Sequence, residues 1–362
     1  HIYVTSWFYF VGMYMGEEGV AIVKRSWLSA CQIGAVYVGT IVGAGFATGK
    51  EIVQFFTQYG WIGFITILMS GFLFIWLGTK MMLISKRIKA NSYKEFNEYL
   101  FGISAGTIVN LFMLVILICV GAVMLSGAGA VFEEQLGWSF QLGLLITVVL
   151  SVCVVLFGVK GLVGVNIIVV PVMIIFSFII AGNSIADNGL SFLSLDPVKD
   201  SLKGWLAPFM YVSFNLAMAQ PVLVPLATEA KDDWVIKRGG FIGGLVLCFI
   251  LLTCHVSIAS LPDFHTFEIP MAEVVKLSML SFFGIYVFVI YGEIFTSVVS
   301  DIFGLQRQLE SMLKVSRYVV TIVLVSIIYM ISQIGYGSLI EHLYPFFGYV
   351  SMAFLVLLVV RK

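Results

Sequence analysis

Runs of about 20 apolar residues recur from Trp27 to the C-terminus, and each is long enough to cross a hydrocarbon core of about 30 Å as a helix. Such helices need lipid around them. Of 362 residues, 60% are hydrophobic and only 11% are charged, too few to clothe one or two soluble domains. The runs are continuous and rich in Leu, Ile, Val and Phe, whereas barrel strands are short and strictly alternating. The fold class that follows is an all-α membrane protein.

About ten transmembrane helices are expected, over Trp27–Tyr59, Trp61–Ile88, Ala105–Phe132, Trp138–Phe157, Leu162–Ala186, Leu202–Thr228, Ile236–Leu261, Ala272–Phe303, Ser316–Ile334 and Ser338–Val360. A polar segment between the second and third, Lys89 to Phe101, reads as a short interfacial helix, and an irregular piece, Pro262 to Pro270, follows the seventh. Lys and Arg set the orientation. With a cytoplasmic N-terminus, sixteen of the 20 lie inside, among them Lys24, Arg25, Lys86, Arg87, Lys160, Lys237, Arg307, Lys314, Arg317 and Lys362. Lys199, Lys203 and Lys276 lie outside, and Lys50 falls within the membrane.

Residues 1–26 form an N-terminal extension whose stretch His1 to Tyr14 is too short to span and has no basic leader, and whose first part is a candidate for non-native sequence. Residues 27–362 form one transmembrane domain, divisible into repeats of about 27–186 and 202–360.

The first span carries Gly39, Gly43, Gly45 and Gly49, four helix-weakening residues in eleven positions. Each Gly costs a water-exposed helix up to about 1 kcal/mol relative to Ala. The GxxxG-like spacing also suits close helix packing, so packing and unwinding both fit this pattern. The sixth span holds Asn215, Gln220, Pro221 and Pro225 in an apolar stretch. The prolines withdraw two backbone donors and clash with the preceding turn. Freed backbone groups at membrane depth persist only when buried in protein or facing a polar cavity. Spans one and six match in a chain of ten divided five plus five, and paired interruptions point to a transporter site between inverted repeats. There, half-helix N-termini suit an anion and unwound carbonyls suit a cation. The expected solute-binding residues are Gly43, Ala44, Gly45, Phe46, Ala47, Phe214, Asn215 and Gln220.

The segment Val42-Gly43-Ala44-Gly45-Phe46, with Gly39, resembles the unwound first helix of LeuT-type sodium symporters in the amino acid–polyamine–organocation superfamily. The longer string from Tyr37 to Ile52, and the sixth-span string Tyr211 to Pro225, are similar to the YkvI-like bacterial membrane proteins over most of the chain. The resemblance implies a LeuT-type 5+5 inverted repeat with discontinuous helices 1 and 6 in a bacterial cytoplasmic membrane. It also implies a sodium site: Thr296 and Ser297 match the eighth-helix hydroxyl pair, Gly39 and Val42 the first-helix carbonyl positions, and Glu293 the eighth-helix carbonyl. Independently, Glu293, Thr296, Ser297 and Ser300 form one polar stripe at helical spacing. Oxygen ligands suit a hard cation. Ordinary back-bonding to helix carbonyls is the alternative role for the hydroxyls.

The chain departs from the LeuT-type pattern at Glu293, where small residues are usual, in the absence of a tyrosine from Ala105 to Phe132, and at Lys50 and Glu51 after the break. These departures leave amino acid specificity open and keep H+ beside Na+ as the coupling ion. Intramembrane carboxylates need pairing, hydration or protonation. Lys50, Glu51, Glu293 and Glu341 are therefore gating or coupling candidates, with Lys50 free to neutralise Glu51 or Glu293 or to meet Glu341 at an outer gate. A structural ion pair for Glu51 and snorkelling for Lys50 are the plainer alternatives.

Cys31, Cys119, Cys153, Cys248 and Cys254 lie in apolar runs without CxxC spacing, and His255, His265 and His342 are isolated, so no metal site or cofactor is indicated beyond the coupling ion. There is no HExxH, no paired membrane aspartates and no serine–histidine constellation, which argues against an enzyme. No basic patch interleaved with aromatics suggests nucleic acid. The expected partners are a small-molecule solute and the lipid bilayer. The expected function is cation-coupled transport of a small solute, with an amino acid or related carboxylate or amine as first candidates. The alternative is a non-transporting nutrient receptor with the same fold.

Overall fold

A computed structural model describes residues 18–90, 92–157, 159–189, 193, 195–197, 201–313 and 316–361; side chains are described from Trp27 onward, apart from 44, 156–171, 173, 201, 303–304, 307–308, 310–313 and 317. Most of the extension, the side chain of the candidate Ala44, and those of Lys24, Arg25, Lys160, Lys199, Arg307, Lys314, Arg317 and Lys362 lie outside the described residues.

Every regular element among the described residues is helical. Six helices are long and apolar enough to cross a membrane, and four shorter apolar ones, Trp27–Ile41, Phe140–Val155, Ile174–Asn188 and Tyr318–Ser332, complete the ten expected. The first span comprises Glu18–Ile41, Ala44–Thr48 and Lys50–Phe55, its helix starting ahead of Trp27. The second runs through Trp61–Leu73, a π-turn at Phe74–Gly78 and Thr79–Ile88; the third is Ile103–Ala130 with a terminal π-turn, Val131–Gln135. The fourth to seventh are Phe140–Phe157, Val159–Asn188, Ala207–Glu229 and Asp233–Ala259. The eighth to tenth are Phe283–Leu313, Arg317–Ser332 and Tyr336–Val360.

The two halves match in their connections. A short helix, Tyr93–Phe101, joins spans two and three, and another, Pro270–Ser278, joins spans seven and eight. The first of these is N-capped by Ser92, whose Oγ accepts from Glu95 N at 3.3 Å. The second follows the piece Pro262 to Pro270 that reads as irregular in the sequence.

Large apolar side chains remain exposed along the spans, including Phe72, Ile108, Phe288 and Met330, as a lipid-facing surface requires. In lipid, close approach through small residues replaces hydrophobic burial as the packing force. Seventh-span glycines do this. A Cβ on Gly239 would strike Ile33 of the first span at 2.7 Å, and one on Gly244 would strike Ile75 of the second at 2.6 Å. Tyr37 fills the seam between them, donating its hydroxyl to Phe74 O at 2.9 Å, where the π-turn begins. The seventh span therefore supplies small-residue packing against spans one and two. Gly39 of the GxxxG-like pattern has no atom within 4 Å of where its Cβ would be.

The sixth span lacks the break that its sequence predicts. It is not unwound over Asn215 to Pro225 but continues as a helix from Ala207 to Glu229 with both prolines inside it. Pro221 and Pro225 each remove one i→i−4 donor, leaving the Ala217 and Pro221 carbonyls without that partner, and the remaining ladder carries the helix through.

Candidate functional site

The site begins where the first span loses its helical ladder. Val42 N donates to Val38 O at 2.8 Å and closes the last regular turn. The carbonyls of residues 39 to 42 lie beyond that bond and have no intrahelical donor. Those of Gly39 and Val42 are among them. Gly43 is extended, with φ −135° and ψ −167°. Its carbonyl starts the next turn by accepting from Phe46 N at 3.0 Å and Ala47 N at 2.9 Å.

A second break isolates the short helix Ala44–Thr48. Gly49 sits at φ +81°, which an L-residue enters only at a cost of roughly 1–2 kcal/mol. A Cβ there would also lie 2.7 Å from both Ile258 Cδ1 and Met271 Cγ. Conformation and space both demand glycine.

The eighth span lies against this short helix. Tyr286 donates its hydroxyl to Ala47 O at 3.4 Å, and Ser297 Oγ lies 3.5 Å from where a Gly43 Cβ would be. Tyr286, Glu293 and Ser297 are seven and four residues apart and share one helix face. The face bearing Glu293 is thus pressed against residues 43–47. Glu293 is 1% exposed, and its Oε1 has no hydrogen-bond partner among the described residues. Thr296 and Ser297 donate to its backbone carbonyl at 3.0 and 2.9 Å, and Ser300 donates to Thr296 O at 2.7 Å. The hydroxyls back-bond, as the plainer sequence reading has it, yet each retains acceptor capacity.

On another side of the short helix stands Glu51, 6% exposed. Its carboxylate folds over Gly45 so closely that a Cβ there would collide with it. It faces Asn215 and Tyr211 of the sixth span, and Asn215 Nδ2 donates to Tyr211 O at 3.0 Å. Glu51 therefore joins spans one and six.

The structure thus gathers Gly43, Gly45, Ala47, Asn215, Glu51, Glu293 and Ser297 around one short helix. Other candidates point elsewhere. Phe214 packs on Tyr344 and Phe347 of the tenth span, with ring centroids 4.9 and 6.0 Å away. Gln220, 1% exposed with Oε1 unpartnered among the described residues, lies five positions beyond Asn215 and on a different helix face. Phe46 is buried in the core.

Lys50 meets none of the carboxylates proposed for it. Its Nζ donates to Phe267 O at 2.6 Å, and no Lys50 ion pair occurs among the described residues. One residue along a helix from Glu51, its side chain departs about 100° away. Glu134, in the third-span π-turn, is the carboxylate that feels the Lys50 charge. Glu134 accepts from Glu268 N at 3.0 Å and Ile269 N at 3.1 Å. Glu341 takes part through its backbone, its carbonyl accepting from Gln54 Nε2 at 3.5 Å. Thr48 and Tyr336 share a 2.6 Å hydroxyl contact beneath this layer. The sequence gives little signal for Glu134, Tyr211, Tyr286 or Tyr336, because isolated carboxylates and tyrosines in apolar runs look like ordinary packing and span-end residues. The opposite half of the first span differs: Cys31, Ala35 and Gly39 form an exposed stripe at i, i+4 leading to half-buried Gly43.

No family model matches the chain. The membrane protein YkvI of Bacillus subtilis (strain 168) is 50% identical over 342 residues, covering 94% of this chain and 98% of the relative. The chain belongs to the YkvI family. YyaD, from the same organism, is 24% identical to this YkvI-family chain over 333 residues, 92% of the chain and 96% of YyaD. Among solved structures, the inward-facing conformation of Mhp1 matches with a TM-score of 0.66 at 14% identity, over 91% of this chain and 75% of Mhp1. An Eremococcus coleocola manganese transporter matches at 0.57 and 13% identity, over 96% and 81% of the two chains. The YkvI-family chain thus has the LeuT-type fold.

Proposed function

We propose that this chain is a secondary transporter that moves a small solute across a bacterial cytoplasmic membrane by alternating access, driven by Na+ or H+. The observation that carries the proposal is the placement of the Glu293 and Ser297 face of the eighth span against the unwound Gly43. It brings hydroxyls, a buried carboxylate and free-ended carbonyls to one break, a donor set suited to a hard cation. The fold shared with the Eremococcus coleocola manganese transporter supports the class. The contacts of Lys50, Glu134 and Tyr336 close one end of the break, and the Cys31 to Gly39 stripe gives the other a small-residue path. With the N-terminus cytoplasmic, as the Lys and Arg distribution favours, that path opens inward.

An amine-bearing solute suits this site better than a simple anion. Two carboxylates, Glu51 and Glu293, flank the short helix, and Lys50 is turned away from both. Buried charge without a partner is strongly destabilising, so a cationic group on the solute and a coupling cation or proton would each relieve one carboxylate.

The test is a thermal-shift panel of amines, amino acids and carboxylates on the purified full chain, with and without Na+. A solute whose stabilisation is Na+-dependent, with the dependence abolished in Thr296→Ala/Ser297→Ala and the fold unchanged, is the expected result for a sodium site. An unchanged Na+ dependence in the double variant would refute that site.

A further inference from the structure

A second polar site lies on the lysine-rich side, away from the transport break. Leu83, Lys86 and Arg87 at the end of the second span, with Asp233 and Lys237 at the start of the seventh, line a half-open cavity of about 310 Å³. Three cations face one carboxylate, a local excess of two positive charges. Lys86 is already engaged, pairing with Asp233 at 3.1 Å and donating to Lys231 O at 3.0 Å. Arg87 and Lys237 have no hydrogen bond or ion pair among the described residues, so their donors face the cavity or solvent.

The cavity's depth in the bilayer is marked by its neighbours. Trp27 and Trp234 meet edge to face at 5.1 Å, and Arg238 lies over both rings at 5.5 and 5.7 Å. Partly exposed tryptophans beside basic residues belong at headgroup level. Phe241, Leu245 and Phe249 continue an exposed apolar stripe along the seventh span from Trp234, as an acyl-chain track would. Basic pockets between spans on the cytoplasmic side suit anionic headgroups.

We infer that this cavity is a phosphate site, formed by Arg87 and Lys237 and steadied by Lys86, for the phosphate of an anionic lipid headgroup or a soluble phosphate ester. An Arg fork matches two phosphate oxygens, and Lys237 adds a point charge from the facing helix. Leu83 gives the apolar wall against which a glycerol backbone would lie. Asp233 opposes the anion, so affinity should rise when its charge is removed.

The experiment uses the full chain in a mild detergent, with bound molecules counted by native mass spectrometry during titration with phosphatidylglycerol, phosphatidylcholine or glycerol phosphate. One tightly retained phosphatidylglycerol is expected. Its affinity should fall about thirtyfold in Arg87→Gln/Lys237→Gln, at ~1 kcal/mol for each basic residue removed. It should be unchanged in Lys94→Gln/Lys276→Gln and raised several-fold in Asp233→Asn, a gain that misfolding cannot produce. Lys86 is kept because it ties the second span to Lys231. Retention of glycerol phosphate alone, with the same response to these variants, would identify a soluble ester as the ligand of the same site. Equal retention of phosphatidylglycerol and phosphatidylcholine, or indifference of all phosphate ligands to Arg87→Gln/Lys237→Gln and Asp233→Asn, would overturn the inference.

Discussion

Gly49→Ala should destabilise the protein and Gly39→Ala should not, although both residues belong to the same glycine cluster. At Gly49 the backbone is left-handed at φ +81°, worth roughly 1–2 kcal/mol against Ala. Its Cβ would press on Ile258 and Met271 at 2.7 Å and Pro270 at 3.4 Å, and overpacking of this kind costs about 1–3 kcal/mol. The combined loss is about 2–5 kcal/mol, a large part of an ordinary domain's stability of about 5–15 kcal/mol. Because Met271 and Pro270 lie in the helix between spans seven and eight, relief of the clash would push that helix off the first span. Gly39 is helical with nothing within 4 Å of its Cβ position, so Ala there should be neutral or stabilising by up to about 1 kcal/mol. Both variants keep the peptide carbonyl, so ion ligation through residue 39 would survive. Unfolding of the two variants and the parent in one detergent, followed by helical circular dichroism, measures the difference. A Gly39→Ala loss as large as that of Gly49→Ala would refute the assignment of distinct roles to these glycines.

Glu134→Ala removes the acceptor for two backbone donors, Glu268 N and Ile269 N; hydrogen bonds to a charged group contribute about 1.5–3 kcal/mol each. Amide exchange at residues 268 and 269 should accelerate by at least tenfold while the span cores stay protected, and unchanged protection would remove Glu134 from the closure of that face. Glu51→Gln keeps the shape beside Asn215 and Tyr211 but removes the charge. Binding of an amine solute should weaken by about tenfold or more, equivalent to ~1.4 kcal/mol, and an unaltered dissociation constant by calorimetry would exclude Glu51 as the cationic group's partner.

Much of the fold is legible because lipid imposes one rule on every span: backbone groups must be satisfied within a helix. Ten apolar runs therefore become ten helices with little room for alternatives. The first break is legible for a related reason, since glycines at 39, 43, 45 and 49 concentrate helix weakness in one place. The structure divides their roles in a way composition does not show: Gly43 is extended, Gly49 is left-handed, Gly45 makes room for Glu51, and Gly39 remains helical.

The sixth span shows where local reasoning stops. Two prolines weaken a helix by two hydrogen bonds, but whether it unwinds depends on the packing around Ala207–Glu229, which is tertiary information. The partner of Lys50 was equally hidden, being the main-chain carbonyl of Phe267, 217 positions away. A carbonyl carries no residue-type signature. The tyrosines behave the same way: Tyr211, Tyr286 and Tyr336 read as apolar bulk until the fold places them beside Glu51, Ala47 and Thr48.

In the proposed mechanism the break at Gly43, closed by the Glu293 and Ser297 face of the eighth span, couples a cation to solute movement. The most direct measurement is uptake of radiolabelled amines and amino acids into proteoliposomes holding the full chain, under an inward Na+ gradient, an inward H+ gradient or neither. Accumulation of at least one solute above its equilibrium level with one of the gradients, lost when that gradient is collapsed, is expected. Solute binding without gradient-driven accumulation across the whole panel would contradict it and leave a receptor of the same fold.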